Sequence, residues 1–379
     1  MRISLLSLAA ACMIVVSDAT AQSGSTGSFL ATLGKDTVAV EQYTLGVREL
    51  TGISIARNPQ TTVRKYSATF DANGKLEKFH VSYQPFGKPV VLERDYVYND
   101  DSVQVIQKQD TVVRTSWSPV PGRPMPFFPD LFGSWNAAIA QGVTGSAHEF
   151  AILAGRRALK YQVRTISPGT VDLLNSDFGP MHAKVRADGQ FNQFDMTATT
   201  DKFIVTRVVQ LDIEGLGAAF AAREQSGRAL GVLSPRDTVR TTVNGAHILI
   251  DYGRPTMRGR TIFGNIVPWD VVWRAGANAA TQLVTDKELA FGSSLVPAGT
   301  YSVFALPGKT GWMLIINKQH GQWGTVYDQT KDLVRIPLEI TSLPEPVEEF
   351  TFEVAAQSDG GVLSFKWEQT KASVPFVVH

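Results

Sequence analysis

From about Ser28 to Ile213, apolar residues recur at every second position over short stretches. Examples are Tyr66, Ala68 and Phe70; Phe79, Val81 and Tyr83; Leu159, Tyr161 and Val163; and the run from Val205 to Ile213. A period of two sends alternate side chains to opposite faces of an extended chain, so each stretch predicts a strand with one buried face. Asn73-Gly74 and Asp188-Gly189 fall between such stretches. These dipeptides accept the positive φ angles of a type I′ turn, which predicts hairpins and a largely antiparallel sheet. The residues that follow, Gly-Lys-Leu-Glu-Lys-Phe from 74 and Gly-Gln-Phe-Asn-Gln-Phe from 189, share the pattern G-x-[LF]-x-x-F. Chance agreement between two hairpins is the plainer explanation of that echo, and a duplicated curved sheet is the other.

The alternation stops between Trp117 and Trp135, where five prolines and several aromatics make a stiff apolar segment that cannot be a central strand. Asp130 is placed to cap a short helix running to about Gln141. Laid across the open face of a curved sheet, this plug either completes a packed core or roofs a cavity lined by Phe127, Phe128, Phe132 and Trp135. A second short helix is expected from Glu214 to Glu224, and Gln225–Pro235, with Gly227, Gly231 and Pro235, reads as a linker. Strand signal resumes at Asp237, turns at Asn244-Gly245, and continues in short, evenly spaced segments to about eight strands. The expected fold is therefore mainly β: an antiparallel curved sheet with one or two short helices over residues 22–225, a linker over 226–234, and a β-sandwich or jelly roll over 235–379.

Length agrees with two domains, since 379 residues exceed a usual single core. A net charge of +1 from 36 basic and 35 acidic residues implies no face basic enough for nucleic acid. Met1-Arg2, the apolar run Ile3 to Val16 and Ala19-Thr20-Ala21 together read as a signal peptide, residues 1–21, with the mature chain starting at Gln22. Cleavage there removes Cys12, the single cysteine, and with it disulfides and thiolate chemistry; lipidation of Cys12 is the competing expectation. No later apolar run has the length of a membrane helix, so a periplasmic or secreted protein with no transmembrane segment after cleavage is expected.

Glycine, arginine, tryptophan and asparagine crowd most densely in YGRPTMRGRTIFGNIVPWDVVWRAGANAAT, Tyr252 to Thr281, which reads as a tightly turning loop followed by a strand. With VPAGTYSVFALPG and WMLIINKQHGQWG further on, it resembles a bacterial family known as domain of unknown function 2911 over about residues 234–379. The resemblance implies an exported all-β domain and brings no activity with it. Ala279 stands where that family leads one to expect glutamate, which weakens any role for a carboxylate at that position. The strand pattern of residues 22–230 is loosely similar to periplasmic lipoprotein-carrier folds.

Candidate chemistry is sparse. The six histidines include no ligand-spaced pair, so neither a metal nor any other cofactor is expected, and no G-x-S-x-G marks a serine nucleophile. Asp328 and Asp332 beside Tyr327 read as a solvated turn. Arg254, Arg258, Arg260 and Arg274 either converge on an anion or stack on tryptophans and bond carbonyls, the second being the more usual use of such residues. Candidate ligand-binding residues are these four arginines with Trp269, Asn278, Asn317, Lys318 and Trp323, the last three in a second loop expected to meet the first. The favoured reading is a non-catalytic exported module that binds an envelope polymer or a protein. Carriage of an apolar ligand such as lipid by the N-terminal half comes second, and an envelope hydrolase third.

Overall fold

Among the described residues, fifteen strands form one sheet between Ser25 and Val208 and nine form another between Arg236 and Val378. The computed structural model describes residues 25–57, 59–175, 180–199 and 201–379. The expected signal peptide, its cleavage site and Cys12 lie outside them. In the first sheet the chain meanders from Ser25–Leu33 outward to Val112–Pro119, and the later strands meander back to Ile204–Val208, which pairs antiparallel with Ser25–Leu33. The short strand Met125–Pro126 is parallel to Glu149–Ala154; every other neighbouring pair in this sheet is antiparallel. The sheet is curved and does not close.

The turns follow a different geometry from the one expected. At residues 71–75 only Gly74 has a positive φ, and the Asp71 carboxylate accepts from the amides of Asn73 and Lys75, both at 2.9 Å. A side chain that bonds its own downstream backbone builds a wider loop than a type I′ turn. Residues 186–190 repeat the bond pattern: Arg186 N to Gln190 O and Gly189 N to Arg186 O match Asp71 N to Lys75 O and Gly74 N to Asp71 O. The type I′ turn occurs at Asn244-Gly245, with φ of 47° and 78°, joining Val243 to Ala246.

Helix α1, Phe132–Thr144, lies against the first sheet and buries Phe132, Trp135 and Ile139. Its start is not capped by Asp130, which pairs with Arg64. The Glu41 carboxylate, reaching in from strand Asp36–Leu45, instead accepts from the amides of Phe132 and Gly133 and from the Tyr66 hydroxyl. This satisfies orphan donors at the positive end of the helix, while burial pushes the Glu41 carboxyl up to about 8. The aromatic plug fills its space: Trp135 meets Phe127, Tyr161 and Phe194 with ring centroids 5.3–5.9 Å apart, and Phe128 stacks on Phe79 at 6.0 Å. Only about 20 Å³ remains beside Phe127 and Trp135, so the four aromatics close a core and do not line a lipid-sized cavity.

Helix α2, Ile213–Gln225, packs Ile213 and Phe220 on a separate cluster of Val40, Ile55 and Val63, with Asp212 capping Gly215 N at 2.9 Å. The strand before it ends at Val208, short of the expected Ile213. Leu230 and Leu233, in the connection to the second sheet, pack on the core of the first.

In the second sheet, the end of the chain, expected as short, evenly spaced strands, forms two long ones, Asp332–Ala356 and Gly360–Val378. Their pairing shifts register between Ser342 and Thr351, an irregularity of the kind that bends paired strands. Tyr252 from the opposite side meets Phe350 and Phe352 edge-on at 5.8 and 5.1 Å, closing a sandwich-like core.

Candidate functional site

Strand Ala246–Gly253 ends where the arginine-rich stretch begins, and residues 254–280 run as an irregular loop until Thr281–Thr285. The strand expected to follow the loop within this stretch therefore begins only at its last residue, Thr281. Pro255, Gly259, Gly264 and Pro268 break regular pairing, and Arg258, Asp270, Ala275 and Asn278 all adopt left-handed backbone. Two bonds of 2.7 Å between Trp273 and Ala305 pin the loop to strand Gly299–Leu306, and the Glu368 carboxylate accepts from the amides of Ile262 and Phe263. At Gly253 the loop passes so close that a Cβ would collide with the Ala277 carbonyl.

The four arginines separate into different roles. Arg254 pairs with Asp237 and Glu349 at 3.3 and 3.2 Å. Arg258, 11% exposed, pairs at 2.8 Å with Asp36 of the first sheet, and its carbonyl accepts from Lys35 N, so it joins the two halves. Arg260 donates through Nε and Nη2 to the carbonyls of Met257 and Thr256, leaving Nη1 buried without a partner. Arg274 lacks any hydrogen bond or ion pair among the described residues, and its Nε is shielded from solvent. None of the four stacks on tryptophan: the cation–π contacts among the described residues belong to Arg57, Arg64 and Arg207.

The remaining candidates are mostly scaffold. Trp269 packs on Phe263 and Trp312, and Trp273 stacks on Trp367 at 5.9 Å. Asn317 is buried and donates to Asp328 O and Asp332 Oδ1, both at 2.9 Å, while Lys318 is exposed and its amide bonds Lys331 O. Asp332 also accepts from Tyr327 and Arg335, and Asp328 caps the turn Gln329–Lys331, so this acidic pair is a tied turn. Trp323 is 45% exposed. The two loops do meet: Ala280 N donates to Gln322 O at 3.1 Å and Gly324 N to Asn278 O at 3.0 Å. Gly324 leaves room for the Arg274 stem, which a Cβ there would strike.

Arg260, Arg274 and Asn278 come together on a cavity of about 220 Å³ between the two halves. The first half contributes Asp201, Lys202 and Phe203, just before strand Ile204–Val208. Lys202 donates to Ile266 O at 3.3 Å across the junction and forms no ion pair among the described residues. Its amine is held down at about 8 by burial and by the Arg274 and Arg260 charges. Burial lowers the Arg274 guanidinium to about 10 and raises Asp201 to about 6. Lys202 and Asn278 both hold left-handed backbone, with φ of 61° and 63°. Sequence reasoning missed Lys202; its one signal is the Asp-Lys interruption just ahead of an alternating strand. Such a site can hold an anion. Among the described residues no group of three or more His, Cys, Asp or Glu is placed to hold a metal, and no helix is long and apolar enough to cross a membrane.

The fold and the cleft define a mainly β protein of two antiparallel sheets with a cationic cavity at their junction. Residues 234–376 match the family described as Protein of unknown function (DUF2911), and no family matches the part before them. A search of curated proteins finds no match to the chain.

Proposed function

We propose that the protein is an exported, non-catalytic binding module of the cell envelope, periplasmic or secreted, that takes an anionic ligand in the cleft between its halves. The observation that carries this reading is Arg274, a cation on a cavity with two further cations and with no group to pair it among the described residues. Burying an uncompensated charge destabilises a fold, and a cost of that kind fits a residue retained for a ligand. Arginine suits the task because its planar fork matches carboxylate and phosphate oxygens. Native mass spectrometry of the protein purified from its exporting host tests it: a bound mass should be present in wild type and lost in Arg274→Met. A mass kept equally by both would place the ligand elsewhere and defeat the reading.

A second reading, carriage of an apolar ligand by the first half, rests on a different part of the plug from the four aromatics. A groove of about 590 Å³ runs beside α1, with Leu45, Phe70, Met125 and Phe150 among its walls and Lys75 and Lys160 on its rim. Lipid retained by both proteins in the same spectra favours this one.

A further inference from the structure

Resting on the cleft reading, we infer that the group bound there is a phosphoryl dianion presented as a phosphomonoester, gripped by Arg274 and Arg260 of the second half and Lys202 of the first. Donor supply is the first argument. Among the described residues Arg274 donates to no protein group, Arg260 is held rigid by two carbonyls, and Lys202 spends one bond on Ile266 O. This array is larger than one carboxylate accepts and suits the three terminal oxygens of a phosphomonoester.

Charge is the second argument. Three cations and Asp201 line the cavity, and Asp201 pairs with none of them. Counting it as ionised, the cavity holds a surplus of two positive charges, which a dianion neutralises and a carboxylate or phosphodiester leaves half unbalanced. Size is the third. At about 220 Å³ the cavity is small beside the roughly 300–1,000 Å³ pockets that enclose drug-sized ligands. It therefore takes a head group, with Ile266, Val267 and Trp273 offering apolar wall to whatever carries it.

Titration calorimetry at pH 7 with phenyl phosphate, benzoate and dimethyl phosphate tests the class. Phenyl phosphate should bind once per chain and at least about tenfold more tightly than the other two. Arg274→Met and Lys202→Met should each weaken it by about tenfold or more, as loss of one charge-assisted hydrogen bond does. If Arg274→Met fails to fold, Lys202→Met, on the other half, carries the test. Vesicles of phosphatidylcholine with and without phosphatidic acid separate the sources: sedimentation only with phosphatidic acid assigns a lipid head group, and binding of phenyl phosphate alone assigns a soluble ester. Benzoate binding as tightly as phenyl phosphate, and lost in both variants, would overturn the phosphoryl class and leave the cleft reading standing. Phenyl phosphate binding unchanged in both variants would overturn the two together.

Discussion

Replacing Arg274 by methionine should stabilise the protein. The side chain is in van der Waals reach of Gly324 along its stem, and methionine keeps much of that stem while deleting the guanidinium. The charge lacks a partner among the described residues, and burial draws its pKa from 12.5 to about 10. At about 1.4 kcal/mol per pKa unit that shift corresponds to roughly 3 kcal/mol of unfavourable burial. The side chain is only partly buried, so solvent screening reduces the recoverable part to about 1–2 kcal/mol. For a domain of 150–250 residues each kcal/mol moves Tm by about 2–4 °C, so the variant should melt roughly 2–8 °C higher in a calorimetric scan at pH 7. The use of such arginines favoured from the sequence, a guanidinium bonded to carbonyls, implies the reverse, since removing one partner of a buried charged network costs about 3–5 kcal/mol. A Tm lowered by several degrees in Arg274→Met would refute the present reasoning and restore that one.

Glu41 gives a pH signature: its pKa rises from 4.5 to about 8 on folding, so folding takes up a proton between those values. Its contribution is complete below about pH 4.5 and falls by up to about 1.4 kcal/mol per pH unit as pH rises towards 8; urea titrations of wild type and Glu41→Gln should diverge with that slope, and parallel curves would disprove it. Gly253→Ala should cost about 1–3 kcal/mol, because the new methyl meets the Ala277 carbonyl, a backbone atom that cannot swing aside; an unchanged melting curve would show that the loop yields. N-terminal sequencing of the exported protein should read Gln-Ser-Gly from Gln22, whereas a lipidated start at Cys12 would make the protein membrane-anchored.

The fold was readable where one physical rule acts alone. Alternation marked the strands because half-buried sheets impose a period of two, and the glycine- and proline-rich stretch at 254–280 was legible as a turning loop because those residues cannot sustain pairing. Asp130 misled because capping preference describes a local choice, whereas Glu41, 91 residues from Phe132, fills the role through the sheet. The site divided in the same way. Arg260 and Arg274 were legible as cations in one segment, but sequence carries no information on which arginine finds a carboxylate across the junction, as Arg258 does with Asp36. Lys202 becomes part of the cavity only when strand Ile204–Val208 is set beside Ser25–Leu33.

That last pairing has a consequence for how the chain is made. Thr32 bonds Ile204 across 172 residues, so the strand nearest the start of the described chain waits for one synthesised long after it. At about 5–20 residues per second the ribosome needs roughly 10–30 s to supply the partner. Throughout that interval one side of Ser25–Leu33 is an unpaired ladder, open to any extended chain in the neighbourhood. Refolding of the denatured full chain should meet the same hazard, with the aggregated share rising as protein concentration is raised.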